Sequence, residues 1–108
     1  MIRILYVSTA IPSLTEADIS QIVATATEHN AKFDITGALA YNGVNFAQVL
    51  EGAESHLNQL MTNIKNDERH SGVIEMVRKP IEKRAFDGWH MKHIEGLQFD
   101  ELVHAMSA

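Results

Sequence analysis

Cysteine is absent from the 108 residues of this chain. Its absence excludes disulfide scaffolds, cysteine nucleophiles and thiolate metal sites together. Long apolar runs are absent too, and no segment approaches the ~20 consecutive apolar residues that a membrane helix needs. The first residues, Met-Ile-Arg-Ile, lack the layout of a signal peptide. We therefore expect a cytoplasmic protein with no membrane partner.

Basic side chains are scarce: Lys and Arg number 9 against 14 Asp and Glu, for a formal net charge of −5. Non-specific binding to nucleic acid needs a basic surface, so we expect no nucleic-acid partner. Apolar residues make up 45% of the chain, enough to bury a core. The length fits one domain, which we place at residues 1–95. We expect residues 96–108 to form a short tail, with a helical stretch near 99–106.

Hydrophobic periodicity predicts the order of helices and strands. Thr15 and the acidic turn after it predict a helix over 16–30, whose buried face holds Ile19, Ile22, Val23 and Ala26. A second helix is predicted over 53–66, with a buried face of Leu57, Leu60, Met61 and Ile64. Strands are predicted over 2–7, 35–41, 45–50, 73–77 and 86–93, with Asn42-Gly43 as a hairpin turn.

This order predicts an α+β fold of the ferredoxin-like type, β-α-β-β-α-β with one added C-terminal strand. Two helices should pack on one face of a mixed sheet. The fold does not identify a function, because it carries many unrelated activities.

Two polar residues interrupt strands that are otherwise apolar. Tyr6 lies between Leu5 and Val7, where a buried tyrosine commonly does no more than satisfy its hydroxyl. Gln48 lies within Phe-Ala-Gln-Val-Leu, and burying its amide without partners costs ~1–3 kcal/mol. A hydrogen bond between strands or a contact to a ligand would each explain Gln48.

Other candidates have equally simple explanations. Asn30 is a helix cap or, together with His29, a partner for a heterocycle. Asp67, Arg69 and His70 form a solvated loop or meet a phosphate.

The motifs that would indicate a metal or an enzyme are absent. The spacing of His90 and His93 does not predict a metal site, because strand residues three apart point to opposite faces. The sequence has no nucleophile elbow around Ser8 and no phosphate-cradling glycine loop. We therefore expect neither a metal nor catalytic turnover.

Taken together, these segments resemble the BLUF family, flavin sensors of blue light. The resemblance covers about residues 1–95 and rests on Tyr-Val-Ser at 6–8, Asn30, Ile-Thr-Gly-Ala-Leu at 35–39, Phe-Ala-Gln-Val-Leu-Glu-Gly at 46–52, Asp-Glu-Arg-His at 67–70 and Phe-Asp-Gly-Trp-His-Met at 86–91. The absence of cysteine agrees with it, since this family forms no covalent bond to flavin. Two departures are Ala47 and Ala40, which are smaller than the residues many relatives carry.

The resemblance implies that FAD, FMN or riboflavin lies between the two helices, with FAD as the family's usual cofactor. It implies a cofactor-binding set of Ile22, His29, Asn30, Gln48, Ile64, Lys65, Asp67, Arg69 and His70. It also implies a photoactive set of Tyr6, Gln48, Trp89, Met91 and Ser8. In that mechanism, light drives electron and proton transfer from Tyr6, and the Gln48 amide rearranges its hydrogen bonds. A reversible red-shifted state results.

No effector segment is recognisable in the sequence, so we expect either that the signal passes to a separate, unidentified protein effector or that the chain is a fragment of a longer protein. The apolar residues of the tail should either cover the exposed sheet face or form a dimer contact, and we expect a homodimer. Two alternatives stay open: a degenerate, flavin-free interaction module of the same fold, and a small flavoenzyme. A hydrolase resembling acylphosphatase is disfavoured because residues 9–14 contain no arginine.

Overall fold

The computed structural model describes residues 1–95 and confirms the predicted ferredoxin-like order with an added strand. Its elements are β1 (Ile2–Ala10), α1 (Glu16–Lys32), β2 (Thr36–Tyr41), β3 (Asn45–Gly52), α2 (Glu54–Lys65), β4 (His70–Pro80) and β5 (Lys92–Glu95). The predicted tail at 96–108 and its helix at 99–106 lie outside the described residues, so that domain boundary stays a prediction.

The strands form one five-stranded sheet in the order β4-β1-β3-β2-β5. β1 pairs antiparallel with both β3 and β4, and β2 pairs antiparallel with β3. Only the β2–β5 pair is parallel, which makes the sheet mixed as predicted. The central position of β1 and β3 brings Tyr6 directly opposite Gln48.

Helix α1 begins where the capping residues predict. The Thr15 hydroxyl accepts the Asp18 backbone N–H at 3.2 Å, and the Asp18 carboxylate accepts the Thr15 N–H at 2.9 Å. This reciprocal pair satisfies two donors that the helix itself cannot. The helix continues to Lys32, beyond the predicted end, so Asn30 lies within its last turn.

The two sheet faces carry two separate apolar clusters. The face under the helices includes Ile4, Leu39, Phe46 and Leu50, packed against Leu57 and Met61 of α2 and Ile19 of α1. The opposite face holds Leu5, Ala38, Ala40, Ala47 and Val49. Alternation along β3 therefore places Ala47 on the face opposite Gln48, as predicted.

All five predicted strands have somewhat different bounds in the structure, and the last two differ most. β4 is longer than 73–77 because it pairs along nearly all of β1, with two register shifts. The strand predicted over 86–93 is wrong for residues 86–91. The Trp89 N–H donates to the Phe86 carbonyl at 2.9 Å and Gly88 has a φ of 86°, so this stretch is a turn before β5 begins at Lys92. Among residues 1–95, neither helix has the length and apolar character to cross a membrane.

Candidate functional site

A cleft opens between α1 and α2 above the sheet. Many of the predicted site residues line it: Tyr6, Ile22, His29, Asn30, Gln48, Ile64, Asp67, Arg69 and His70. Lys65, Ser8, Trp89 and Met91 are not among its lining residues. Residues that the predicted set missed are Thr25, Ala26, Leu39, Phe46, Leu60 and Asn63. Helical spacing from Ile22 and Ile64 selects three of these, Thr25, Ala26 and Leu60, since residues three or four apart share a helix face.

Tyr6 and Gln48 form the floor of the cleft and are both buried, at 3% and 6% exposure. The Tyr6 hydroxyl donates to Gln48 Oε1. On its other side, Gln48 Nε2 donates to Met91 Sδ at 3.6 Å. A continuous hydrogen-bonded chain thus runs from β1 through β3 to the residue just before β5.

Burial raises the pKa of the Tyr6 phenol far above its ordinary value, and the nearby Asp67 charge adds to the rise in pKa. The ionised phenolate would lose its hydration in this site. Tyr6 therefore keeps its proton, and its donation to Gln48, throughout the physiological range.

We expect this raised pKa to appear as a loss of stability at alkaline pH. A raised folded-state pKa contributes stability that is complete below the unfolded value of ~10 and is lost as pH rises above it. The melting temperature of the wild type relative to Tyr6→Phe should therefore fall above pH ~10. Thermal melts of both proteins at a series of pH values measure this. A difference that stays constant across the series would contradict it.

Ser8 shares the cleft-facing side of β1 with Tyr6 but joins a different network. Its Oγ lies 2.7 Å from His70 Nδ1, and His70 Nε2 lies 2.7 Å from the Ile64 carbonyl. Because a carbonyl only accepts, Nε2 carries the proton, and in the neutral ring Nδ1 accepts from Ser8. Ser8 and His70 thus fix the end of α2 to β1.

Met91, and not Trp89, contacts Gln48 in this structure. Met91 is 5% exposed, whereas Trp89 is 51% exposed and lies beneath the Lys92 ammonium at 5.3 Å from its ring centroid. The prediction that these two residues share one strand face is wrong, because residues 86–91 are not extended strand. The photoactive role of Trp89 stays a prediction.

Asn30 is 1% exposed although it lies near the end of a helix. Its Nδ2 donates to the His90 carbonyl at 2.7 Å, and His29 Nδ1 lies 3.2 Å from its Oδ1. The C-cap of α1 is Phe33, so the interpretation of Asn30 as a cap is wrong. The side chain instead joins the cleft to the segment that carries Met91.

Asp67 and Arg69 close one end of the cleft as an ion pair. Arg69 Nε donates to both Asp67 oxygens, at 2.9 and 3.1 Å, and this bonding holds the pKa of Asp67 below its usual range. Both side chains are partly exposed, so the pair adds little stability. Asp67 engages Nε and Nη2, so a phosphate could share the guanidinium through its other N–H groups. Lys65 is exposed in the last turn of α2.

These residues fit a flat heterocycle with a polar edge. Ile22 and Ile64 approach from opposite helices and offer apolar faces. Gln48 Nε2 has a second N–H, and Asn30 Oδ1 a second lone pair, beyond the bonds already described. His90 Nδ1 is engaged by the Ile35 carbonyl at 2.9 Å. Within the described part of the chain, no cluster of His, Asp or Glu is arranged to hold a metal ion.

Comparison with solved structures gives the same fold. BlrB, "a BLUF protein, dark state structure", superposes with a TM-score of 0.86 at 31% identity, covering 98% of this chain and 80% of BlrB. Klebsiella pneumoniae BlrP1 "with FMN and cyclic diGMP" gives a TM-score of 0.82 at 35% identity, covering 87% of this chain and 25% of BlrP1.

Comparison with the sequences of known proteins agrees with these structural matches. The photoactivated adenylate cyclase subunit beta of Euglena longa is 38% identical over 81 residues, which are 75% of this chain but 9% of the subunit. The chain therefore spans a small part of that relative. The BLUF family, described as "Sensors of blue-light using FAD", matches residues 1–92. The chain belongs to the BLUF family.

Proposed function

We propose that this chain is a blue-light photoreceptor module whose switch is the chain of hydrogen bonds from Tyr6 through Gln48 to Met91. That continuous chain, on the floor of a cleft suited to a flavin ring, carries the proposal. When bound, the flavin supplies blue-light absorption and an electron acceptor for Tyr6.

The cleft holds the cofactor mainly by its ring. Ile22 and Ile64 would cover the two ring faces, while Asn30 and Gln48 would meet its polar edge. Arg69 carries N–H donors beyond those bonded to Asp67, so it could also meet a phosphate of the cofactor tail. We propose FAD as the cofactor, with FMN accepted by the same site because both carry the same ring; BlrP1 has been solved with FMN.

The switching step follows from the unequal partners of the Gln48 amide. Its Oε1 accepts from a phenol, whereas its Nε2 donates only to a thioether sulfur, which is a weak acceptor. If the phenol proton passes along its hydrogen bond to Gln48 Oε1 while the bound flavin takes the electron, Tyr6 would no longer donate to the amide. Rotation or tautomerisation of the amide then exchanges donor and acceptor with little movement, and breaking the weak Met91 contact frees that residue to move.

We propose that the readout is a protein effector and that this module has no catalytic turnover of its own. Relatives such as the Euglena longa cyclase subunit carry the family segment within a far longer chain. Met91 lies directly before β5, so its displacement would be transmitted to the sheet edge. The effector, homodimerisation and a cytoplasmic location are parts of this proposal.

The proposal is tested by the visible absorption spectrum of the purified protein before and just after blue illumination. We expect a flavin spectrum that moves to the red by a small amount and returns in the dark. A colourless protein that takes up no added flavin would indicate the flavin-free interaction module. Bleaching without recovery would indicate the flavoenzyme.

A further inference from the structure

Glu51 is a fully buried carboxylate on the side of the sheet away from the cleft. Its exposure is 0%, and it lies three residues after Gln48 on the same strand. Odd spacing along a strand places the two side chains on opposite faces. The switch described above gives Glu51 no role.

Five donors surround this carboxylate. Arg3 of β1 donates to Oε2 through Nε at 3.0 Å and Nη2 at 2.8 Å. The Ala85 N–H donates to the same oxygen at 2.8 Å. Oε1 accepts the Phe86 N–H at 3.0 Å and the Thr36 hydroxyl at 3.2 Å. A buried charge is tolerated when it is paired and hydrogen-bonded in this way.

Arg84 adds a second set of hydrogen bonds that attach residues 84–86 to β2 and β3. It donates to the Thr36 hydroxyl at 2.9 Å, to the Glu51 carbonyl at 3.1 Å and to the Asp34 carbonyl at 2.8 Å. Residues 84–86 are therefore fixed both to the end of β3 and to the start of β2.

This attachment lies just upstream of the Met91 switch residue. The connection from β4 to β5 is held at 84–86 by Glu51. It is held again at 89–90, where the Gly37 N–H donates to the Trp89 carbonyl at 3.0 Å and Asn30 donates to the His90 carbonyl. Glu51 thus fixes the point from which the chain runs to Met91.

We propose that Glu51 is a positioning residue of the photocycle, and that its hold on residues 84–86 keeps Met91 close to its dark position and speeds its return to Gln48. The proposal rests on the proposed function. A tethered segment explores fewer positions, so the correct contact re-forms sooner. In Glu51→Gln, an amide N–H₂ would face the donors of Arg3 or residues 85–86, and the attachment would loosen.

The test compares dark recovery of the illuminated, flavin-loaded wild type and Glu51→Gln. We expect a red shift of wild-type size, because Tyr6 and Gln48 are untouched, and a recovery slowed by about threefold or more. The matched control is Val49→Ala, a buried change on the same strand and face, in the cluster against which Phe86 packs, that removes no hydrogen bond to 84–86. It should lower the melting temperature and leave the recovery rate unchanged.

Recovery of Glu51→Gln at the wild-type rate or faster, or equal slowing in Val49→Ala, would overturn the positioning role. If Glu51→Gln does not fold, Arg84→Met decides instead, since it removes the outer donors and leaves the Arg3–Glu51 pair. Slower recovery supports the proposal, and an unchanged rate rejects it. A wild type without any reversible shift would reject the proposed function itself and this inference with it.

Discussion

Replacing Tyr6 with phenylalanine is expected to leave the flavin bound and to abolish the light-induced red shift. The hydroxyl that donates to Gln48 Oε1 is the only group lost, and with it go the transferable proton and the readily oxidised phenol. The ring remains to line the cleft. Difference spectra before and after illumination should show no red shift.

The matched control is Tyr41→Phe. Tyr41 packs on the same sheet face, with its ring 5.0 Å from that of Phe46, and does not line the cleft. This variant should keep the full shift. A normal, reversible shift in Tyr6→Phe would remove Tyr6 from the mechanism, and loss of the shift in both variants would show that the effect is not specific to the cleft.

Local signals in the sequence predicted most of the fold. The Thr15 capping pair fixed the start of α1, and Asn42-Gly43 fixed the hairpin. Asn42 Oδ1 accepts the N–H groups of Val44 and Asn45 at 3.0 and 2.7 Å, and Gly43 has a φ of 95°. Such features depend on residues a few positions apart, so the sequence displays them directly.

The segments whose bounds were predicted wrongly are those that depend on contacts with residues distant in sequence. β4 extends because β1 offers partners along its length, which hydropathy within β4 does not reveal. Residues 86–91 have strand-like composition but form a turn. Their hydrogen bonds go to Gly37, Asn30 and Glu51, which lie far away in sequence.

The candidate site was predictable to the extent that polar residues stood out. Tyr6 and Gln48 interrupt apolar strands, and the structure joins them to each other. The Ser8–His70 and Asn30–His90 bonds span 62 and 60 residues, and no spacing rule anticipates them. In the sequence, Glu51 is distinguished only as part of the 46–52 motif. Its burial depends on Arg3, Thr36 and residues 85–86, which lie far from it in sequence.

Among the substitutions proposed here, Gly37→Ala is expected to lower the stability of the fold most. A Cβ built at this position would lie 1.9 Å from the Val49 carbonyl oxygen, a backbone atom that cannot move aside without breaking the β2–β3 pairing. A strand glycine often marks such a close approach of another backbone. We expect Gly37→Ala to lower the free energy of unfolding by about 4 kcal/mol or more, among the largest single-residue effects. Chemical denaturation followed by circular dichroism measures this loss.

Gly52→Ala is the control for that experiment. Gly52 ends β3, and a Cβ there would meet nothing closer than 3.4 Å, an ordinary contact. We expect a change within ~1 kcal/mol of the wild type. Gly37 also donates its N–H to the Trp89 carbonyl, so any folded Gly37→Ala protein should have a displaced Met91 segment and an altered flavin spectrum. Equal stability of the two variants would show that β2 can shift away from Val49, and that close packing of β2 on β3 is not what requires glycine at position 37.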